Sequence, residues 1–175
     1  MMTDATLRPL LEGGDRRSIA RSDAALERVR ARPELVGELA ALTGDADWLV
    51  AMRAVDLLEK LAHEHPDWVE PHKRLFIGPL ADSDKWEVRL QVVRALPLFR
   101  WSGAELRRAE EIVLRDIAHP QTFVRAWAAD SLARFAEKNP ALLPDLERCL
   151  AQFDASGSKA LATRAREIRK RARSE

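Results

Sequence analysis

Two stretches of this chain write nearly the same helix. They are "WEVRLQVVRALPLF" at 86–99 and "TFVRAWAADSLARF" at 122–135. Aligning Val50, Val88 and Val124 puts 38 residues between the first two and 36 between the next. Further columns then fall into register: Ala54/Val92/Ala128, Val55/Val93/Ala129, Leu58/Leu96/Leu132 and Leu61/Phe99/Phe135. Within each repeat these positions recur at the spacing of one broad apolar stripe on an α-helix. A lone helix cannot bury such a stripe, and neither can a lone helix pair. Stacked copies can, so a repeat of this period constrains the chain to a helical array.

A second helix follows each of these. "RPELVGEL", "HPDWVEPH" and "NPALLPDL" share a proline followed by apolar residues. Pro33, Pro66 and Pro140 suit a first helical turn, where the missing N–H has no partner to lose. Pro71 and Pro144 are expected in first turns as well. In the third repeat "WSGAELRRAEEIVLRDI" takes this place, with Ser102 and Glu105 spaced as a capping box. The expected helices are 4–12, then 16–30 with 34–42, 47–62 with 67–77, 85–98 with 104–117, 122–137 with 141–152, and finally 159–173. A short helix and a glycine-containing break occupy 1–14, and one repeat domain covers 15–175. The links "TGDAD", "ADSD", "AHPQ" and "DASGS" are short and polar, as helix connections usually are.

These residues resemble the HEAT and HEAT-like repeats of the armadillo-type α-solenoids. The resemblance rests on 80–96 and 117–132. Asp82, Val88 and Arg89 match the turn-Asp and Val-Arg elements, and Val124 and Arg125 match with His119 in the Asp position. In the second repeat Gly44 and Ala51 replace the Asp and Arg. The resemblance implies an all-α superhelix of about four helix pairs with a C-terminal capping helix. It also implies that Asp82, Arg89 and Arg125 form a structural polar ladder. Repeat scaffolds host many roles, so the resemblance speaks for fold before function.

No enzyme signature appears: there is no glycine-rich phosphate loop, no nucleophile elbow and no zinc-protease motif. His63, His65 and His72 read as polar helix-end residues, and neither a metal nor a cofactor is assigned. Cys149, the one cysteine, reads as a small core residue in a chain expected in a reducing cytoplasm. No signal peptide and no membrane-spanning run is visible. A formal net charge of +1 offers no global field for nucleic acid.

Trp48 and Trp86 share a column at the repeat start and are expected to pack there. Trp68 is expected in the core and Trp101 in an exposed turn. Trp127 occupies the column of Arg53 and Gln91, so it either packs on a neighbour or anchors a partner. The second helices of a HEAT array are expected to line its concave face. The partner contacts are therefore placed on Trp127, Arg74, Arg107, Arg108, Arg115 and Arg148. The end of the chain is basic, with Arg166, Arg169, Lys170 and Arg173 on one helix face, as a solubilising cap or a contact for an acidic partner or nucleic acid.

The expected function is a non-catalytic scaffold that binds another protein or peptide. Nucleic acid is the second choice, by similarity to HEAT-like glycosylases of alkylated bases, to which "AWAAD" at 126–130 invites comparison. An auxiliary subunit of a HEAT-like lyase is the third.

Overall fold

The computed structural model describes residues 6–174, and among them it is all-α with no strand. The helices are α1 (Arg8–Leu11), α2 (Ser22–Ala31), α3 (Val36–Leu42), α4 (Trp48–Glu64), α5 (Pro66–Val69) and α6 (Arg74–Ile77), then α7 (Trp86–Ala95), α8 (Gly103–Asp116), α9 (Thr122–Lys138), α10 (Leu143–Ala155) and α11 (Lys159–Arg173). None is long and apolar enough to cross a membrane. Two compact units are present, one ending at Leu75 and one beginning at Phe76.

The aligned columns are the core. Val50, Val88 and Val124 are all buried, and so is every member of the four further columns. Each stripe faces a neighbouring helix: α4 packs on α2, α3 and α5, and α9 packs on α7, α8, α10 and α11. The inner stripe of the last helix is Leu161, Ala165 and Ile168, all buried. Asp47 and Ser158 cap α4 and α11 by accepting from the N–H groups of Leu49 and Leu161.

Several boundaries differ from the sequence expectation. Asp4 and Ala5 lie outside the described residues, and only Arg8–Leu11 of the expected first helix is helical. The segment 16–21 is a loop, not the start of a helix. The helix expected over 67–77 is broken into α5, a 3-10 turn at Glu70–His72 and α6. Pro71 lies inside that turn rather than at a tolerant first position, and it has no N–H to carry the helix on. Pro97 likewise ends α7 at Ala95 and leaves a 3-10 turn at Leu96–Leu98. Pro144 does fall in the first turn of α10. The chain enters α8 through Gly103 in the left-handed region, φ +54°, and the Ser102 hydroxyl makes no cap bond.

The loop between α1 and α2 is held from below by one buried side chain. Arg53, 3% exposed, donates from Nη1 to the Leu11 carbonyl at 2.6 Å, from Nη2 to Asp15 O at 3.0 Å, and from Nε and Nη2 to Ser18 O. Its fork of donors satisfies carbonyls that a helix break would otherwise orphan. Gly14 has φ +72°, and a Cβ there would lie 2.6 Å from the Ser18 Oγ, so glycine is required on both counts.

Candidate partner-binding surface

Three of the five tryptophans, Trp86, Trp101 and Trp127, lie in the second unit. Its helices α7, α9 and α11 bring their polar positions together at Trp127. The half-buried Trp127 ring has Arg94 from α7 at 4.6 Å and Arg164 from α11 at 4.1 Å from its centroid. Both are within the range of a cation–π attraction. One turn along α9, the buried Asp130 carboxylate accepts from Arg171 Nη1 at 2.9 Å and Arg134 Nε at 3.2 Å, with Arg164 at 3.6 Å. Trp127 thus packs beneath side chains of both neighbours. Asp130 ties α11 to α9 and is surrounded by more positive charge than it can neutralise.

The ladder residues Asp82, Arg89 and Arg125 pair differently from the resemblance. Arg89 forks onto Asp116, through Nε at 3.1 Å and a short Nη2 contact, rather than onto Asp82. Asp116 is fully buried at the end of α8 and also accepts from Arg115 Nε at 2.9 Å. Exposed Asp82 accepts from Arg108 and Arg115 at 3.2 and 3.3 Å. Arg125 reaches the Ile117 carbonyl at 3.4 Å and lies over Phe153. The carboxylate that organises this seam is therefore Asp116, for which the sequence held no signal beyond an acid at a helix end. Beside it, burial followed by the Arg89 charge lowers the pKa of His119, whose Nδ1 accepts from the Gln121 N–H.

These pairings redistribute the expected contact residues. Arg108 and Arg115 are engaged within the chain, Arg108 also on the Ile77 carbonyl and Arg115 on the Ala81 carbonyl. Arg148 pairs with Asp145 three residues before it. Arg74 and Arg107 are exposed. In the basic helix Arg169 forks onto Asp154, while Arg166, Lys170 and Arg173 are exposed. The other tryptophans also shift. Trp68 is half-buried and stacks on exposed His65 at 3.9 Å, with Val69 taking the core position. Trp101 is half-buried and donates to the Leu96 carbonyl at 2.7 Å. Trp86 stacks on exposed Phe123, and Trp48 remains 39% exposed. His63 bonds Glu59 at 2.6 Å, and among the described residues no group of three His, Cys, Asp or Glu converges as a metal site.

The second unit has a cleft of about 380 Å³ between the end of α7 and the last turn of α9. Phe99, Trp101, Leu106 and Phe135 supply its apolar lining, with Phe99 and Trp101 edge to face at 5.9 Å and 87°. The rim carries Arg134, Lys138, Glu110 and Glu137. Glu110 is held by the Asn139 amide at 3.2 and 3.3 Å. An apolar floor under a few convergent polar groups is the usual form of a small recognition site. Sequence reasoning assigned Phe99 and Phe135 to the inner stripe. The available hint was Phe in the third and fourth repeats where the second has Leu61: a longer side chain at a helix end reaches beyond the seam.

No family model matches the chain, and no curated protein matches it. Charge differs sharply between the units. Residues 1–75 hold eleven basic and fourteen acidic side chains, and residues 76–175 hold eighteen and fourteen, so the overall +1 divides into −3 and +4.

Cys149 lies buried on α10, and burial pushes its thiol up to about 11. The thiolate is the reactive form. In the native protein at pH 8 a disulfide reagent should therefore modify no thiol on the minute scale, and should modify one thiol at once in denaturant. Fast modification without denaturant would contradict this packing.

Proposed function

We propose that the chain is a HEAT-like α-solenoid that binds a segment of another protein and catalyses no reaction. The buried columns shared by three repeats support the fold. The aromatic-floored cleft at the end of α9 supports the function, because its lining suits an apolar side chain and its rim suits a polar backbone with mixed charges. Asp130 and Asp116, the buried carboxylates among the described residues of this unit, are both paired with guanidinium groups, which favours a structural role for them over acid–base chemistry.

Peptide-display selection on the full chain tests the proposal. Enriched peptides should bind with micromolar affinity and lose about tenfold or more on Leu106→Arg, which closes the cleft without touching the core columns. Selections that enrich equally on the Leu106→Arg protein would overturn it. One observation, the +4 balance of residues 76–175, favours nucleic acid as a second reading. Binding of duplex DNA that falls steeply with salt, at a slope near one phosphate per neutralised contact, would support that reading instead.

A further inference from the structure

The cleft has a companion across the same helix turn. On the other side of α9 a second hollow of about 320 Å³ is formed by Ala133, Ala136, Leu143, Leu146 and Ile168, with Arg171 at its edge. Leu143 leaves 43% of its surface exposed there. Both hollows include Glu137, which stands between them on the exposed side of α9. The last turn of one helix thus has an apolar recess on each flank, with Arg134 and Lys138 lining the first, Arg171 lining the second and Glu137 common to both.

Resting on the peptide-binding reading, we infer that these two recesses together seat an acidic amphipathic helix of a partner protein. Its two apolar anchors would lie about 10 Å apart, and a basic residue between them would meet Glu137. The spacing follows from the width of the helix that separates the recesses, on the order of 10 Å, which matches positions i and i+7 on a partner helix. Acidic flanks follow from charge complementarity. Arg134, Lys138 and Arg171 edge the recesses, and the single Asp130 carboxylate is already shared by Arg134, Arg171 and Arg164. Asn139 holds Glu110 in place at the first recess alone. Glu137, common to both recesses, is the carboxylate placed to specify a cation at the centre. The occupant is helical because no strand edge exists among the described residues to pair an extended backbone, whereas a helix satisfies its own.

Fluorescence anisotropy on the full chain tests this with a labelled model helix of about five turns. It carries leucine at i and i+7, glutamates on the flanks and lysine at i+4. The acidic helix should bind at least about tenfold more tightly than its charge-inverted counterpart and weaken as salt rises. Glu137→Lys should weaken it, and exchanging the peptide's central lysine for glutamate should restore binding to that variant. Equal binding of the charge-inverted helix, or no rescue by the exchange, overturns the acidic-helix inference. If display-selected peptides meanwhile bind and depend on Leu106, the peptide-binding reading stands without it. If neither the model helix nor any selected peptide binds, both fall. Displacement of the peptide by duplex DNA at equal salt overturns the inference in favour of nucleic acid.

Discussion

Asp116→Ala is expected to remove about 3–5 kcal/mol from the unfolding free energy, the usual range for breaking a buried ion pair from one side. The carboxylate is fully buried, and the Arg89 side chain that forks onto it is only 16% exposed. Alanine would leave that guanidinium short of its partner, with only the Ser83 carbonyl at 3.5 Å in reach. It would also remove the Asp116 acceptor of Arg115, leaving that guanidinium only its bonds to Asp82 and the Ala81 carbonyl on the 3-10 turn at Pro79–Asp82. Calorimetry should show the transition fall by on the order of 10 °C in a chain of this size. Asp116→Asn keeps the shape and one acceptor, so its loss should be smaller. The double variant Arg89→Met, Asp116→Leu should regain most of the loss, since an apolar pair of similar volume avoids stranding either charge. A second readout is independent of stability. The Asp116 charge raises the pKa of His119, against the lowering by burial and Arg89. In Asp116→Asn, the His119 titration followed by NMR should therefore move further down. An Asp116→Ala loss under about 1 kcal/mol would refute the assignment of this seam.

Arg53→Ala should have an effect of similar size on the first unit, about 3 kcal/mol or more, because hydrogen bonds from a charged donor contribute more than neutral ones. Three carbonyls lose their side-chain donor at once; that of Asp15 keeps the Ser18 N–H. The restraints that remain include the Arg21 N–H bond to the Leu10 carbonyl at 2.9 Å and local ones: Asp15 accepts from the N–H groups of Arg17 and Ser18, and Ser18 Oγ accepts from Ala20. Ala20 itself is in the left-handed region at φ +51°, a conformation that costs a residue with a Cβ about 1 kcal/mol and persists only if its surroundings hold it. The expected result is a loop that opens before the rest of the unit unfolds. Trypsin should cut after Arg16, Arg17 or Arg21 much faster than in the parent chain, while far-UV circular dichroism barely changes. Arg53→Lys should rescue only in part, since a single ammonium cannot span the three carbonyls. Unchanged cleavage in Arg53→Ala would show that the loop does not depend on this anchor.

Legibility in the sequence followed the range of the interaction. The last helix could be placed at 159–173 because the polar link "DASGS" precedes it and Leu161, Ala165 and Ile168 repeat at helical spacing, all within one segment. Cys149 could be placed in the core because it shares the apolar phase of α10. Pro71 misled because its tolerance depends on where the helix begins, and the chain begins that helix at Pro66. Trp127 was ambiguous because the guanidinium groups over it come from Arg94 and Arg164, 33 and 37 residues away in the chain. The same holds for the cleft, whose lining joins the end of one repeat to the end of the next.

By itself the sequence determined that the described chain is helical, which face of each repeated helix is buried, and that the repeats share one apolar register. Those properties depend on a 3.6-residue period and can be read within a single turn or two. Only the tertiary structure decided which acid meets which arginine, that Asp116 rather than Asp82 takes Arg89, that Arg53 holds a distant loop, and where two recesses flank α9. Polar bonds demand placement to within a few tenths of an ångström between residues far apart in the chain, and no local pattern encodes that distance.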